Sequence, residues 1–478
     1  MKSSICSKRL LVGVVLCLSG TPHAFLAAQS SSGPQMTLSP GSNIQSAVDQ
    51  SPENTTFTLL AGTYRLQSVA PKNGDAFVGA GAVILNGSTV LSFQADSKGS
   101  GFWVADAQAI PQPMGPCDDT HPLCGNIQDL FIDSVLQTPA TALQGLKPGF
   151  WYLDRDKNKA YLPGDPSGHL IEMGMKSYAF YGSAKGVKIS RVIVEKYASI
   201  AQQGAIGDIK EGMGWIVDAV EARWNHGAGV ELGDGSTLSN SFIHHNGQLG
   251  IALGGVNCKA IANEIAWNNY AGYLPSWEAG GSKFWATTNL VVQQNYVHDN
   301  RGPGLWTDFN NVGTLYEKNI VINNLNEGIK HEISFSATIR YNTVKGNGNT
   351  PTIWGNNAQI ELQNSSGSVI YGNTVEVPAT NGNGIVLMNQ IRCCSTLGAW
   401  VAANDSVHDN TITYLGGNGW SGIVDDTTGG KAVGNLFDAN RYILPANPGS
   451  RSYWVWFSYM TWEGLKAAGE EATGKCCN

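Results

Sequence analysis

Asparagine returns at a set interval along this chain. The phrase Asn, any residue, Ile or Val, any two residues, Asn occupies positions 263–268, 295–300, 319–324 and 342–347. Looser copies begin at Ser241, Asn373, Asn410 and Asn435. The shortest steps between copies are 22, 24 and 23 residues, from Ser241 to Asn263, Asn295 to Asn319 and Asn319 to Asn342. Longer steps read as loops inserted into single repeats. Self-similarity at a period of roughly 20–50 residues restricts a chain to stacked, solenoid-like architectures. Each period holds two or three short β runs split by Asn and Gly, which argues against a helical repeat, and there is no leucine ladder. Asparagine tolerates left-handed backbone and bonds nearby peptide groups, so identical turns can stack in ladders. The expected fold is all-β: a right-handed parallel β-helix.

The flanking sequence departs from the period. Residues 43–50 read as a short capping helix and residues 56–64 as a first coil, which places the N-terminal cap and first coils at 35–95. Residues 96–180 break the repeat. Runs such as 150–153 (FWYL) and 159–162 (KAYL) read there as strands of an inserted β-sandwich-like subdomain. The repeating core is expected at 181–445. An aromatic and helical C-terminal cap follows at 446–478, with a helix over 461–472 covering the open sheet edge.

Composition agrees with short strands and tight turns: 58 glycines, and only 14% charged residues. Residues 1–28 have the pattern of a secretory signal, with Lys2, Lys8 and Arg9 before an apolar run and Ala27-Ala28 as a cleavage site. The chain is therefore expected to be secreted or periplasmic. The apolar run is too short to span a bilayer, and no later segment reaches that length. Removing the leader leaves 27 basic against 37 acidic residues, a net −10, which disfavours nucleic acid and anionic membranes as partners. Of the nine cysteines, Cys6 and Cys17 leave with the leader. Cys117 and Cys124 flank a short polar loop and are the expected disulfide. One cross-link between the adjacent pairs Cys393-Cys394 and Cys476-Cys477 would tie the tail to the body, and Cys258 reads as a buried thiol. No spacing resembles a zinc site. No cofactor is implied; a calcium ion is compatible with an acidic outer face, but nothing in the spacing calls for one.

A second repeat carries the chemistry. Gly304-Leu305-Trp306-Thr307-Asp308-Phe309 returns 24 residues later as Gly328-Ile329-Lys330-His331-Glu332-Ile333. Strand alternation turns Leu305, Phe309, Ile329 and Ile333 inward and Trp306, Asp308, Lys330 and Glu332 outward. His331 falls on the inward side, where a small bend would turn it out. It reads equally as a core histidine or as a group that orients Glu332. The spacing also predicts an outer column Lys283, Asp308, Glu332, Glu361, with Trp285 and Trp306 two positions away on the same face. Adjacent carboxyls cannot both ionise cheaply. Lys283 is expected to keep Asp308 ionised, and the neighbouring acids to raise Glu332. Paired acids beside indoles suit carbohydrate, whose rings stack and whose hydroxyls hydrogen-bond. Carboxyls on neighbouring coils suit a retaining glycosidase, which needs about 5–5.5 Å between them.

These segments, with Glu278-Ala-Gly-Gly-Ser-Lys283 and Arg301-Gly-Pro-Gly-Leu-Trp-Thr-Asp308, resemble the active-site region of glycoside hydrolase family 120 within the pectate-lyase-like superfamily. The resemblance implies a β-xylosidase on a right-handed parallel β-helix with an inserted β-sandwich-like domain. It also implies Asp308 as nucleophile and Glu332 as acid/base. The sequence after Glu332, Ile333-Ser-Phe-Ser, departs from the family pattern. The expected substrate is an oligo- or polysaccharide, contacted by Lys283, Glu278, Trp306, Glu361, His331 and Arg301. Two other classes compete. A polysaccharide lyase would use Lys283 as base on a uronate polymer, with Arg301 as acid or carboxylate clamp. A non-catalytic adhesive β-helix would need no paired acids. Unsaturated-product absorbance separates hydrolase from lyase, and tolerance of acid-to-amide changes marks the adhesive reading.

Overall fold

The computed structural model describes residues 33–111, 115–351, 354–426, 432–449 and 451–477. The leader expected over 1–28 lies outside the described residues. From Lys188 onward the chain winds in coils of three strands. A representative coil comprises Leu305–Asp308, Leu315–Glu317 and Ile320–Ile322; the next comprises Ile329–Glu332, Thr338–Arg340 and Thr343–Lys345. Each strand pairs in parallel with its counterpart one coil on, so successive coils stack at the strand spacing of about 4.8 Å. The first strands of the coils form one sheet running in chain order from Gly204–Ile206 to Trp454–Trp456, with Ser458–Met460 added antiparallel at its end. The other two stacks share a second, larger sheet.

The asparagines act as the spacing predicts. Asn319 donates from its side-chain amide to the Val292 carbonyl at 2.9 Å and to Asn342 Oδ1 at 3.0 Å, while its own Oδ1 accepts from the Asn295 side chain at 3.0 Å. Asn342 continues to Asn373, Asn410 and Asn440, and the ladder ends on the carboxylate of Glu471. A parallel ladder runs through Asn246, Asn268, Asn300, Asn324 and Asn347 to Gln359. Asn435 belongs to neither; it accepts the Asp405 N–H, and Asn440 takes the ladder position. Inside the coils lies a continuous apolar column that includes Leu305, Ile329, Val321, Val344 and Ile360. The glycine that opens each repeated phrase is required by this packing. A Cβ on Gly328 would lie 2.5 Å from Val344 Cγ1 and 2.8 Å from Asn347 Nδ2.

Asn43 caps the N-terminal helix Ile44–Gln50 by accepting the Ser46 N–H, and the first coil follows at Thr56–Arg65. The insert starts earlier and ends earlier than 96–180. Its strands run from Ser88–Val90 to Ile171–Gly174 in a four-stranded and a five-stranded sheet. The two share a core built on Leu130, Trp151, Leu153 and Met173. The C-terminal helix is shorter than expected, Trp462–Ala467. Gly469 then takes φ +94°, and the chain turns Glu470 and Glu471 inward to close the ladders. Cys117 and Cys124 form a disulfide, and Cys258 is buried, both as expected. The cross-link between cysteine pairs is not present. Cys476 bonds its neighbour Cys477 on the last rung, whereas Cys393 and Cys394 are free thiols at a hairpin that leaves another sheet. No helix among the described residues is long and apolar enough to cross a membrane.

Candidate active site

Asp308 and Glu332 are direct partners on adjacent parallel strands, Leu305–Asp308 and Ile329–Glu332. Both point away from the coil interior, so their carboxyls stand side by side on one face. The rest of the expected column needs correcting. Trp285, not Lys283, is the rung partner of Asp308, and Gln363, not Glu361, is the partner of Glu332. Lys283 and Glu361 lie two residues over, in a neighbouring column that contains Trp306 and Lys330. A slip of two residues preserves the outward direction of a side chain and changes only its column, so strand parity could not reveal it.

The two columns are joined by charge. Lys283 bridges Glu278 at 2.7 Å and Asp308 at 2.8 Å. Lys330 lies 3.2 Å from Glu332 and 3.6 Å from Glu361. Trp306 is the spacer between these lysines, 4.4 Å from the Lys283 ammonium and 5.4 Å from that of Lys330. Its indole N–H donates to Glu332 Oε2 at 3.2 Å. Only 4% of Trp306 is exposed, so it is not the expected sugar platform. Trp285, at 42%, is the open ring, and it stacks on Phe309 at 5.9 Å. Phe309 and Ile333 do not enter the core. Each takes a positive φ, +65° and +40°, which ends the alternation and leaves the side chain half-buried.

Burial, which the spacing could not reveal, acts on several of these groups. Burial raises Asp308, with Lys283 opposing and Glu332 adding to the rise. Glu332 faces three donors: Lys330 and Trp306 on Oε2, and Arg392 on Oε1 at 3.3 Å. Glu361 is fully buried and raised well above the carboxylate range, by burial first and then by Glu327. Burial also opposes the charge on Lys330, but Glu332, Glu361 and Glu327 hold it above its ordinary value. His331 faces inward; it does not bend out or orient Glu332. Its Nδ1 lies 2.6 Å from the Thr307 hydroxyl, and burial lowers it to about 3. Arg301 is withdrawn from the acids by Asp118 of the disulfide loop, at 2.7 Å. Among the described residues no cluster of three or more ligating side chains could hold a metal ion.

Sequence reading missed Arg392 and Glu231 and assigned nothing to Lys330. Lys330 was open to inference, two residues before Glu332 on the same strand. Arg392 comes from a non-repeating hairpin, whose Trp400 donates to Asn310 at 3.0 Å. Glu231 sits on the strand Ala228–Leu232 in the Lys283 column, two rungs earlier, and lines a cavity of about 300 Å³ with Glu278, Lys283 and Trp285. A larger cavity, about 520 Å³, lies between insert and solenoid. Asp129 on its wall bonds both His226 and Tyr270, so the three read as a latch between the two parts.

A family model described as a right handed beta helix region matches residues 205–366. No curated protein sequence matches the chain. Among solved structures, the complex of XylC with xylose is similar with a TM-score of 0.64 at 15% identity, covering 85% of this chain and 83% of that one. The A-module of mannuronan C-5 epimerase AlgE6 from Azotobacter vinelandii aligns with a TM-score of 0.46 at 14% identity, over 87% and 94% of the two chains. A polygalacturonase from Erwinia carotovora aligns at 0.39 and 10%, over 92% and 98%. The fold is therefore that of the right-handed parallel β-helix proteins.

Proposed function

We propose that this chain is a carbohydrate-active enzyme, and specifically a retaining glycoside hydrolase that works on xyloside-like substrates. The observation that carries the reading is the in-register pair Asp308 and Glu332 on adjacent rungs of one face. Rungs are about 4.8 Å apart, which is close to the 5–5.5 Å that a covalent, retaining mechanism needs and short of the roughly 6.5–9.5 Å that admits an inverting water. Asp308 Oδ2 is held by Lys283. Its other oxygen attacks the anomeric carbon, and Glu332 donates a proton to the leaving oxygen. Glu332 then takes a proton from the water that releases the sugar. The fold shared with XylC, which was solved with xylose, makes aryl xylosides the first substrates to test.

The ion pairs weigh against the lyase reading. A catalytic base needs a free amine, whereas the Lys283 ammonium is shared by Glu278 and Asp308. Arg301 is likewise committed to Asp118. The Cys117–Cys124 disulfide agrees with a secreted or periplasmic enzyme. The test is hydrolysis of 4-nitrophenyl β-D-xyloside followed by NMR. Retention gives the β-anomer first. An α-product, or unsaturated-product absorbance with a uronate polymer and no xyloside cleavage, would reject the proposal.

A further inference from the structure

The hairpin that carries Arg392 is pinned at its feet and open at its tip. Asn364, fully buried, donates to the Gln390 carbonyl at 2.7 Å and to the Trp400 carbonyl at 3.0 Å, and accepts the Gln390 N–H at 3.1 Å. Trp400 is held further by Asn310 and lies 5.7 Å from the Phe309 ring. Between these feet the chain forms a short antiparallel ladder, Cys394–Ser395 with Gly398–Ala399. Ile391, Cys393, Cys394 and Leu397 are all exposed there.

Cys393 and Cys394 are both free, and their sulfurs lie 3.7 Å apart, in contact but unbonded. Arg392 is the residue before them. Its guanidinium reaches Glu332 Oε1 at 3.3 Å and Gln390 Oε1 at 3.2 Å. Gln390 in turn accepts at 2.6 Å from Gln363, the rung partner of Glu332. A backbone change at 393–394 is therefore confined between fixed feet, and it reaches Glu332 through Arg392.

We propose that Cys393 and Cys394 are a reversible redox site, in which a disulfide closed between them withdraws Arg392 from Glu332. Its effect on turnover rests on the hydrolase reading; its chemistry does not. The oxidant is a small disulfide such as glutathione disulfide. One cysteine thiolate attacks it, forming a mixed disulfide and releasing one glutathione, and the neighbouring thiolate displaces the second. Two S–H bonds of the protein are exchanged for one S–S bond, and the two glutathiones carry off both protons. Adjacent Cα atoms are about 3.8 Å apart, below the roughly 4.4–6.8 Å usual across a disulfide. Cys117 and Cys124 stand at 5.5 Å, within that range. The ring at 393–394 is therefore strained and yields to reductant first. A strand turns successive side chains to opposite faces, whereas a ring holds both sulfurs on one. Closure thus opposes the extended backbone that Cys394 takes opposite Ala399, and the tip rearranges next to Arg392.

The test equilibrates the full chain with glutathione disulfide or with reduced glutathione, traps free thiols with iodoacetamide and maps tryptic peptides by mass. Trypsin leaves both cysteines in one peptide, 393–431, and Cys476-Cys477 in another, 476–478. After oxidation peptide 393–431 should be lighter by two hydrogen atoms and take no label. Under reduced glutathione it should take two labels while Cys117–Cys124 stays closed. Amide exchange over residues 394–399 should rise on oxidation. On xylosides with poor leaving groups the oxidised chain should lose about tenfold in kcat/KM. Arg392→Gln should show that loss in both redox states, and Cys393→Ser with Cys394→Ser should keep the reduced rate in both. The proposal is overturned if the thiols stay free, if they link to peptide 476–478, if the ring forms and kcat/KM does not change, or if Arg392→Gln remains sensitive to oxidation. If no glycoside is turned over in either state, the hydrolase reading fails and amide exchange decides the redox site: faster exchange on oxidation supports it, and unchanged exchange overturns it.

Discussion

At the scale of single residues, the carboxylates carry roles that substitution can separate. Asp308→Asn removes the attacking oxygen, so turnover on any glycoside should fall by about 10³-fold or more. Glu332→Gln should slow substrates with poor leaving groups far more than activated aryl glycosides, and azide should partly restore its second step. Stopped assays on a leaving-group series read both. Arg392 touches Glu332 from an exposed hairpin. Arg392 holds one oxygen of Glu332 in place, so Arg392→Gln should lower kcat/KM on substrates with poor leaving groups, and unchanged kinetics would show that the contact has no catalytic weight. Glu231 makes a separate prediction about stability. Its folded value, about 8, lies above its ordinary 4.5. The stability it contributes is full below pH 4.5 and is lost as pH rises through 8. Glu231→Gln should match wild type in thermal melts at pH 4 and exceed it at pH 9 by on the order of a few degrees.

At the scale of elements, the ladders and the closely approached glycines hold the rungs in register, and the register is what makes Asp308 and Glu332 neighbours. Asn319→Ala would leave the Val292 carbonyl and two ladder amides without their partner. Unsatisfied buried groups cost about 1–3 kcal/mol each, so a loss of roughly 2–4 kcal/mol is expected, visible as a lower denaturant midpoint. Gly328→Ala should also destabilise, and its effect on turnover should exceed that of Asn319→Ala at equal stability, because the displaced strand carries Glu332. Equal activity in the two variants would show that the rung tolerates the shift.

At the scale of the whole molecule, a stack of coils is stabilised mainly between neighbours, so its ends need caps. The C-terminal end is closed by Glu471, which accepts from Asn440 and Tyr442. Glu471→Ala should raise amide exchange in the last rungs, Leu436–Asp438 and Arg441–Ile443, and leave the Asp308 rung protected. Exchange that rose equally along the solenoid would contradict this nearest-neighbour picture. Earlier in the solenoid, the insert is tied down by the His226–Asp129 contact and by Arg301 to Asp118 beside the disulfide. Arg301 therefore pairs with the loop of the insert, in a place where its neighbourhood in sequence pointed to substrate.

The repeat, the ladders and the outward direction of Asp308 and Glu332 were legible from sequence because they depend on local rules. A strand alternates every residue, an Asn turn bonds its counterpart one period away, and two phrases 24 residues apart fall on neighbouring rungs. What covers the face was not legible. Trp306 became a buried spacer rather than a platform, Glu361 lost contact with water, and Trp285 became the open ring. Those outcomes depend on segments without a period, among them the helix Pro275–Glu278 and the hairpin that brings Arg392. Column membership escaped for a related reason: a shift of two residues leaves the alternation intact, and only the pairing of whole strands distinguishes the columns. Burial and partners, which set the charge of an acid, are properties of the assembled coils. That is why the sequence alone could determine the pair of carboxylates, and only the tertiary structure could decide that burial raises Asp308, Glu231 and Glu361.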